Sequence, residues 1–520
     1  MLWMTVQLRA LAPMEDASAA GMQAAGAQAA GALKVRPDAV AGSFYPSKAK
    51  ALAAMLDEFL AQASKTQATK PVHAPILAAV APHAGYPYSG PVAAATYAAL
   101  RGRSYARVVV IAPSHFESFG FTSLYDGDAY RTPLGDVPVD KAFARQLVEM
   151  SPELRFSGHG HDPTPAGAEH SIEVQLPWLQ KVLGDFEVVP IVMGDQSYEA
   201  SRALGVALAK LAKAEAQDGE TLVLASSDLS HFHPRHEAER IDGQALSALE
   251  SWDYFSMSRN FQMRIWEACG GAPMVAAMIY AERMGANQAL LLKYASSGDI
   301  TGEDSSVVGY GAAIFVKSSR EKAADEPFSL SEQEKCELLA LARRSVEHVV
   351  REGEAYEPPP NANESLNQQR GAFVTLREKN GALRGCVGYT SAIKPLYITV
   401  RDTATLAAMR DSRFTPVSVA ELPNLDYEIS VLSPLRRVTD VEQIRIGEHG
   451  LLIKNGEREG LLLPQVPVEQ DWDRLTFLEQ TCAKARLPQG CWKDKDTDIF
   501  SFTAVVFGED GAVDFDEQKR

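Results

Sequence analysis

Residues 74–90 read APILAAVAPHAGYPYSG and residues 106–120 read ARVVVIAPSHFESFG. Each is a short apolar run that ends in Ala-Pro and then delivers a histidine, His83 or His115. An apolar run of this length, closed by proline and glycine, predicts a buried strand that stops at the proline. Two further runs, FEVVPIVMG (186–194) and TLVLASS (221–227), have the same character. Ala/Leu-rich stretches with helical spacing lie between and after them: KAKALAAMLDEFLAQA, GPVAAATYAALRG, KAFARQLVEM, YEASRALGVALAKLAKAEA, IDGQALSALESWD and GAPMVAAMIYAERMG. This alternation, from about residue 36 to Val316, predicts an α/β domain with a largely parallel central sheet flanked by helices. Ligands of such sheets bind beyond the carboxyl ends of the strands. His83 and His115 are therefore either residues of two ordinary turns or two imidazoles of one pocket.

The 520 residues suffice for two or more domains. Apolar and charged fractions of 46% and 23% are those of a globular chain. A net charge of −16 argues against a general nucleic-acid surface, which needs clustered Lys and Arg. No apolar run reaches the length of a membrane span, so no membrane association is expected. The five cysteines are scattered and form no CxxC pair, which suits a reducing cytoplasm better than a disulfide framework.

Residues 1–34 are an Ala/Gly-rich segment of low complexity, expected to be a disordered tail, with Met14 and Met22 as alternative starts. Residues 35–317 form the first domain. SSREKAADEPF, residues 318–328, has linker composition. The second domain, residues 329–515, opens with a helix in SLSEQEKCELLALARRSVEHVVREG, capped by Ser329 or Ser331. Strand patterns (GAFVTLRE, LDYEISVLSP, HGLLIKNG, REGLLLPQVP, IFSFTAVVF) then alternate with helices (KPLYITVRDTATLAAMRD, WDRLTFLEQTCAKARL), an α+β or α/β arrangement.

Five places in the first domain carry reactive side chains at a strand end or a Gly/Pro break: His83, His115, EHSIE (169–173), SSDLSHFHP (226–234) and Cys269 in EACGGAP. Two imidazoles and a thiolate suit Zn, Fe or Cu, and three ligands leave coordination positions open. The competing reading is that each residue is a cap or is packed. In Asp228-x-x-His231 the carboxylate can orient the imidazole, making His231 a candidate general base; alternatively Asp228 or Ser227 caps a helix. His170 is either a cap-region residue or part of the pocket. His233 and His236 read as surface residues; HGHD (159–162) can bind metal adventitiously, but loop composition explains it adequately. In the second domain, LRGCVG (383–388) places Cys386 between Gly385 and Gly388, which allow close backbone approach or positive φ. Arg384 can lower the thiol pKa or bind an anion, or Cys386 is a small buried residue. Cys336, Cys482 and Cys491, in helix-like or loop contexts without partners, read as structural or incidental.

The pieces AGSFYP, APHAGYPYSG, APSHF, YRTPLGD, EHSIEVQLP, SSDLSH, CGGAPM and GEDSSVVGYGAAIF together resemble the Memo family. Its fold is similar to the class III extradiol (LigB-type) dioxygenases. The resemblance implies a metal site of His83, His115 and Cys269, with Asp228, His231 and His170 as the catalytic or pocket residues around it. Cysteine in place of the dioxygenases' carboxylate ligand points to metal-dependent redox chemistry, with iron or copper as the metal and zinc as an alternative, rather than to ring cleavage itself.

The second half, through GAFVTL, LRGCVGY, DSRFTPVSVAELPNLDYEISVLSP and GLLLPQVPVEQDWD, resembles the AMMECR1 family, whose signature covers Arg384, Gly385, Cys386 and Gly388. The two halves together resemble the AmmeMemoRadiSam system, which implies a separate radical SAM protein as partner. The substrate, a small molecule or a modified macromolecule, is not specified by the sequence. The expectation is a cytoplasmic oxidoreductase-like protein. The alternatives are a scaffold with a degenerate pocket and a zinc-dependent hydrolase.

Overall fold

The computed structural model describes residues 33–66, 72–215, 221–318, 328–390 and 392–509. The tail reading lies outside these residues except for Leu33 and Lys34, as does most of the linker. The first domain is built on a nine-stranded sheet. Its centre is four parallel strands in the order Ile76–Ala81, Thr221–Ser226, Arg107–Pro113 and Glu187–Met193. Alternate residues of one strand enter different cores: Val109 and Ile111 on one face, Val108, Val110 and Ala112 on the other. Both faces are covered by helices, which is why these strands read as unbroken apolar runs. Full burial of each such side chain contributes roughly 1.5–3 kcal/mol.

The expectation of a largely parallel sheet holds for this centre and fails at the edges. Val307–Val316 runs antiparallel to Ile76–Ala81 and pairs in turn with Gln288–Ser296. Thr122–Leu124 lies antiparallel on Glu187–Met193. The helix read from Gly90 begins four residues earlier and spans Tyr86–Leu100. Pro87 falls in its first turn, where a missing N–H leaves nothing unpaired. Pro87, which looks like a turn former, therefore starts a helix directly behind His83.

The second domain has two four-stranded antiparallel sheets. Leu383–Tyr389, Ala372–Glu378, Leu425–Leu432 and Ala504–Gly508 form one, backed by the helices Glu332–Glu352 and Leu396–Met409. The first of these helices is closed by a capping box between Ser331 and Glu334. The run IFSFTAVVF is not one strand. It breaks at Thr503, with Asp498–Phe502 in one sheet and Ala504–Gly508 in the other.

The domains share a core. Leu432, Leu452, Phe500 and Phe502 belong to the same apolar cluster as Tyr198, Phe255 and Trp266, and the Phe255 and Phe500 rings lie 5.2 Å apart. At the centre of this junction the buried Asp498 accepts hydrogen bonds from Tyr198 Oη (2.9 Å) and Arg202, with Arg437 and Arg283 beside it.

One cysteine reading is overturned: Cys482 and Cys491 form a disulfide, with Cα atoms 6.0 Å apart. The helix Arg474–Lys484 ends just before Arg486 and Gly490, both at positive φ, and these turn the chain back on itself. A spacing of nine residues carries no such signal in the sequence. Cys269, Cys336 and Cys386 are free thiols.

Candidate metal centre

Ile76–Ala81, Thr221–Ser226 and Arg107–Pro113 are neighbours in the sheet, so their carboxyl ends open onto one space. There the imidazole centroids of His83 and His115 lie 5.1 Å apart, those of His83 and His170 5.6 Å, and those of His115 and His170 4.9 Å. One ring nitrogen of each lies within 4.8 Å of the others. Cys269, arriving just ahead of the helix Gly271–Arg283, places Sγ 3.1 Å from Nε2 of His83. Of the His83, His115 and Cys269 of the sequence reading, the two histidines share one cluster with His170, which does not cap a helix, while Cys269 lies beside that cluster against His83.

The hydrogen bonds around the rings decide which nitrogen is free. His83 Nδ1 lies 2.9 Å from Ser226 Oγ. That hydroxyl already donates to the Ser171 carbonyl (2.6 Å) and accepts from Gln175 Nε2 (2.7 Å). Its single proton is committed, so Nδ1 of His83 is the donor and Nε2 presents a lone pair to the pocket. His115 makes the equivalent contact from Nδ1 to Glu169 Oε1 (2.9 Å), and His231 from Nδ1 to the Leu229 carbonyl (2.8 Å). Anchoring of the remote nitrogen in this way is what metal-ligating histidines require.

Burial, with His115 and His170 nearby, holds His83 well below the ordinary imidazole range, so it is neutral. Burial also takes His170 down to about 4. Burial and the neighbouring Asp228 push the Cys269 thiol far up. Burial would raise Glu169, but its bonds and charge interaction with His115 more than reverse this and hold it well below the usual carboxylate range.

Asp228 has a different task from the one read in the sequence. Its Oδ1 accepts the backbone N–H groups of His83 (2.8 Å) and Ala84 (3.3 Å), and its own N–H points to Cys269 Sγ (3.2 Å). The His231 ring is oriented by the Leu229 carbonyl instead. Burial pushes Asp228 up to about 6, opposed by the His83 N–H and by His231. His231 thus acts on the charge of Asp228 without a bond to it.

HGHD lies in a turn, as its composition suggests, but His161 does not face solvent there. It is fully buried, bonded to Tyr130 Oη and to the Ser123 carbonyl. His233 is half-buried and paired with Glu267, and His236 is exposed. Glu169 and Ser226, which hold the rings, and Gln175, which bonds Ser226, lay inside stretches quoted from the sequence but were given no role there. Only the adjacency of Glu169 to His170 offers a signal for any of them. Tyr88, Phe116 and Phe232 are large exposed aromatics that follow His83, His115 and His231 in sequence. Phe232 has φ of 63°, a conformation that costs a bulky residue about 1 kcal/mol or more.

In the second domain Gly385 approaches the helix Leu396–Met409 closely. A Cβ there would stand 2.3 Å from the Ala407 carbonyl oxygen. Gly388 is similarly covered by the Phe373 ring, and neither glycine has positive φ. Arg384 does not activate Cys386. Its guanidinium is engaged by Glu421 (2.7 Å) and the Thr415 carbonyl (3.0 Å). Burial raises the Cys386 thiol, and the cation beside it is Arg413, bonded to the Cys386 carbonyl.

Residues 36–314 match the family described as Memo-like protein, and residues 339–507 match AMMECR1. A MEMO1 family protein of Methanobrevibacter smithii is 35% identical over 54% of this chain and 99% of its own length. A protein of Thermococcus kodakarensis is 46% identical over 33% of this chain and 89% of its own. The crystal structure of an uncharacterized protein from Pyrococcus horikoshii is 39% identical, covers 36% of this chain and 96% of its own, and has a TM-score of 0.34.

Proposed function

The chain belongs to the Memo-like protein family through residues 36–314 and carries an AMMECR1 domain at 339–507, and from that premise we propose that its first domain is a metal-dependent oxidoreductase-like module. The observation that carries this reading is the pair of Nε2 lone pairs, on His83 and His115, fixed by Ser226 and Glu169 and converging beside the Cys269 thiol. These donors fit a transition metal. The His83 imidazole is neutral and ready to coordinate. Burial would lower His115, but its bond to and charge interaction with Glu169 raise it, so His115, like the Cys269 thiol, gives up a proton when a cation takes its place. A bound iron or copper ion would supply electron-transfer chemistry at the mouth of the pocket. His83, His115 and Cys269 would hold it, with His170 as the further donor.

The remaining residues serve this centre. Asp228 fixes the backbone at His83 and Ala84, and so the ring behind it. His231, with Nδ1 committed to Leu229, keeps Nε2 to accept or return a substrate proton. Tyr88, Phe116 and Phe232 offer apolar surface to whatever enters. The shared core of the two domains supports their acting as one body. We extend the reading to a radical SAM protein as partner and to a cytoplasmic location, although the Cys482–Cys491 disulfide removes the cysteine argument for a reducing compartment. Among the described residues no helix is long and apolar enough to cross a membrane.

Anaerobic purification followed by metal analysis tests the reading. Stoichiometric iron or copper that is lost in His83→Ala and Cys269→Ala supports it. A protein that takes up neither metal under any reconstitution refutes it. The three-histidine set of His83, His115 and His170 favours a second reading, a zinc hydrolase with His231 as base. Zinc as the native metal, together with esterase or amidase turnover, would select that reading.

A further inference from the structure

Glu169 receives an unusual number of hydrogen bonds for one buried carboxylate. Oε2 accepts the backbone N–H of His115 (2.6 Å), and Oε1 accepts His115 Nδ1 (2.9 Å), the backbone N–H of His170 (2.9 Å) and that of Ser171 (3.0 Å). One side chain therefore fixes both the backbone and the ring of His115 and starts the segment that carries His170. Behind it lies Arg36, 3% exposed. Its Nη2 donates to the Glu169 carbonyl, its Nε to the His161 carbonyl (2.8 Å) and its Nη1 to Glu173 Oε2 (2.7 Å). Glu173 in turn accepts the Tyr45 hydroxyl (2.6 Å) and the N–H groups of Ala39 (2.8 Å) and Val40 (3.0 Å). The chain from Arg36 onward is thereby pinned beneath the site, and its Phe44 ring lies 4.5 Å from that of His170.

We infer that Glu169 is the positioning residue of the histidine cluster, locking the His115 ring with its Nε2 lone pair inward, and that the Arg36 guanidinium holds Glu169 in place. The role of His115 as a ligand rests on the metal-centre reading above; the lock on its ring does not. The physical ground is acceptor count. An ionised carboxylate is all acceptor and can serve four N–H groups, whereas an amide carries two donors of its own. In Glu169→Gln, the NH2 group either faces the His115 backbone N–H, donor to donor, or faces Nδ1 and drives the ring proton to Nε2, where it occupies the ligating position. Arg36→Lys keeps the charge and loses the fork that reaches three segments at once.

The test uses the full chain and two readouts. Two-bond 15N–1H correlation spectra of the histidine-labelled, metal-free protein, at a pH where the rings are neutral, report the tautomer. The wild type is expected to show His115, identified by His115→Gln, protonated at Nδ1, and both Glu169→Gln and Arg36→Lys to shift that population toward Nε2. Titration with Co(II), read in its ligand-field and thiolate charge-transfer bands, is expected to weaken about tenfold or more in both variants, with altered bands. Unchanged tautomer and unchanged Co(II) binding in Glu169→Gln overturn the inference. If the wild type takes up no Co(II) while the tautomer shift occurs, the metal reading falls and the lock stands. A folded Glu169→Gln, judged by circular dichroism and melting, keeps the test valid should Arg36→Lys fail to fold.

Discussion

Sγ of Cys269 stands 3.1 Å from Nε2 of His83, in a site where Ser226 has already taken the Nδ1 side of the same ring. The thiol and the imidazole are thus in direct hydrogen-bond contact, and an ion shared by them would sit to one side and replace the thiol proton. Cys269→Ser keeps the shape and removes the soft donor. It is expected to abolish the thiolate charge-transfer band of a Co(II)- or Cu(II)-loaded protein. Affinity should fall by more than the roughly 10–100-fold typical of losing an outer hydrogen-bond partner. An unchanged absorption spectrum would show that sulfur is not a ligand.

His170 decides between the two donor sets. His83 and His115 each have a strong partner on Nδ1, whereas His170 Nδ1 is 3.7 Å from Glu169 Oε1, too far for a firm bond. A ring held this loosely fits a secondary donor. His170→Ala is expected to cost about tenfold or less in metal affinity, against a loss of a hundredfold or more for His83→Ala, measured by competition with a chelator. Equal losses would make the three-histidine set the primary one.

What the sequence revealed of this site followed from local pattern. Ala-Pro-His after an apolar run marks a strand end, and the sheet centre brings such ends together, so His83 and His115 could be placed from sequence alone. The orienting partners could not. Glu169 and Ser226 reach the rings across 54 and 143 residues of chain, and Gln175 reaches Ser226 across 51; sequence spacing does not register contacts of that kind. Asp228 was found but misread, because Asp-x-x-His suggests a side-chain pair where the fold makes a side-chain-to-backbone clamp. In the second domain the close approach at Gly385 was legible, but the partners of Arg384, Thr415 and Glu421, were not. The Cys482–Cys491 disulfide depends on a turn with two positive-φ residues, one of them a non-glycine.

Asp253 gives a pH dependence with a definite sign. It caps the helix Tyr254–Gln262 through a bond from the Ser256 N–H (3.1 Å), and burial pushes it up to about 6. The folded state therefore binds this proton more tightly than the unfolded chain, whose carboxyl titrates near 3.8. The benefit is fully present only below the unfolded value and is lost as pH rises through the folded one. Between about pH 4 and 6, stability should fall by on the order of 3 kcal/mol on account of this group. Asp253→Asn keeps the cap acceptor and removes the charge. Urea unfolding across pH 4–8 should show a flatter profile for the variant and greater stability above pH 6. Parallel curves for the two proteins would contradict this.

Asp498 is the point at which the domain junction is most exposed to a single change. It is 3% exposed and is the shared carboxylate of Arg202, Arg437 and Arg283, with the Tyr198 hydroxyl completing its bonds. Arg202 also donates to the Lys495 carbonyl (3.0 Å), so the network holds the backbone as well as the charge. Burial favours the neutral acid, yet the Arg202 bond and the positive charges around it keep the carboxyl below its ordinary value. Asp498→Ala leaves three guanidinium groups at a largely apolar junction without their common partner. Breaking a buried pair in this way costs about 3–5 kcal/mol. The apolar contacts of Phe500 with Phe255 remain, and each domain keeps its own core on the side away from the junction. The loss should therefore fall on the docking of the domains rather than on either fold. Calorimetry should resolve two transitions in the variant where the parent is expected to show one. A single transition at the parental midpoint would mean that the shared apolar core, not the ionic hub, holds the two domains together.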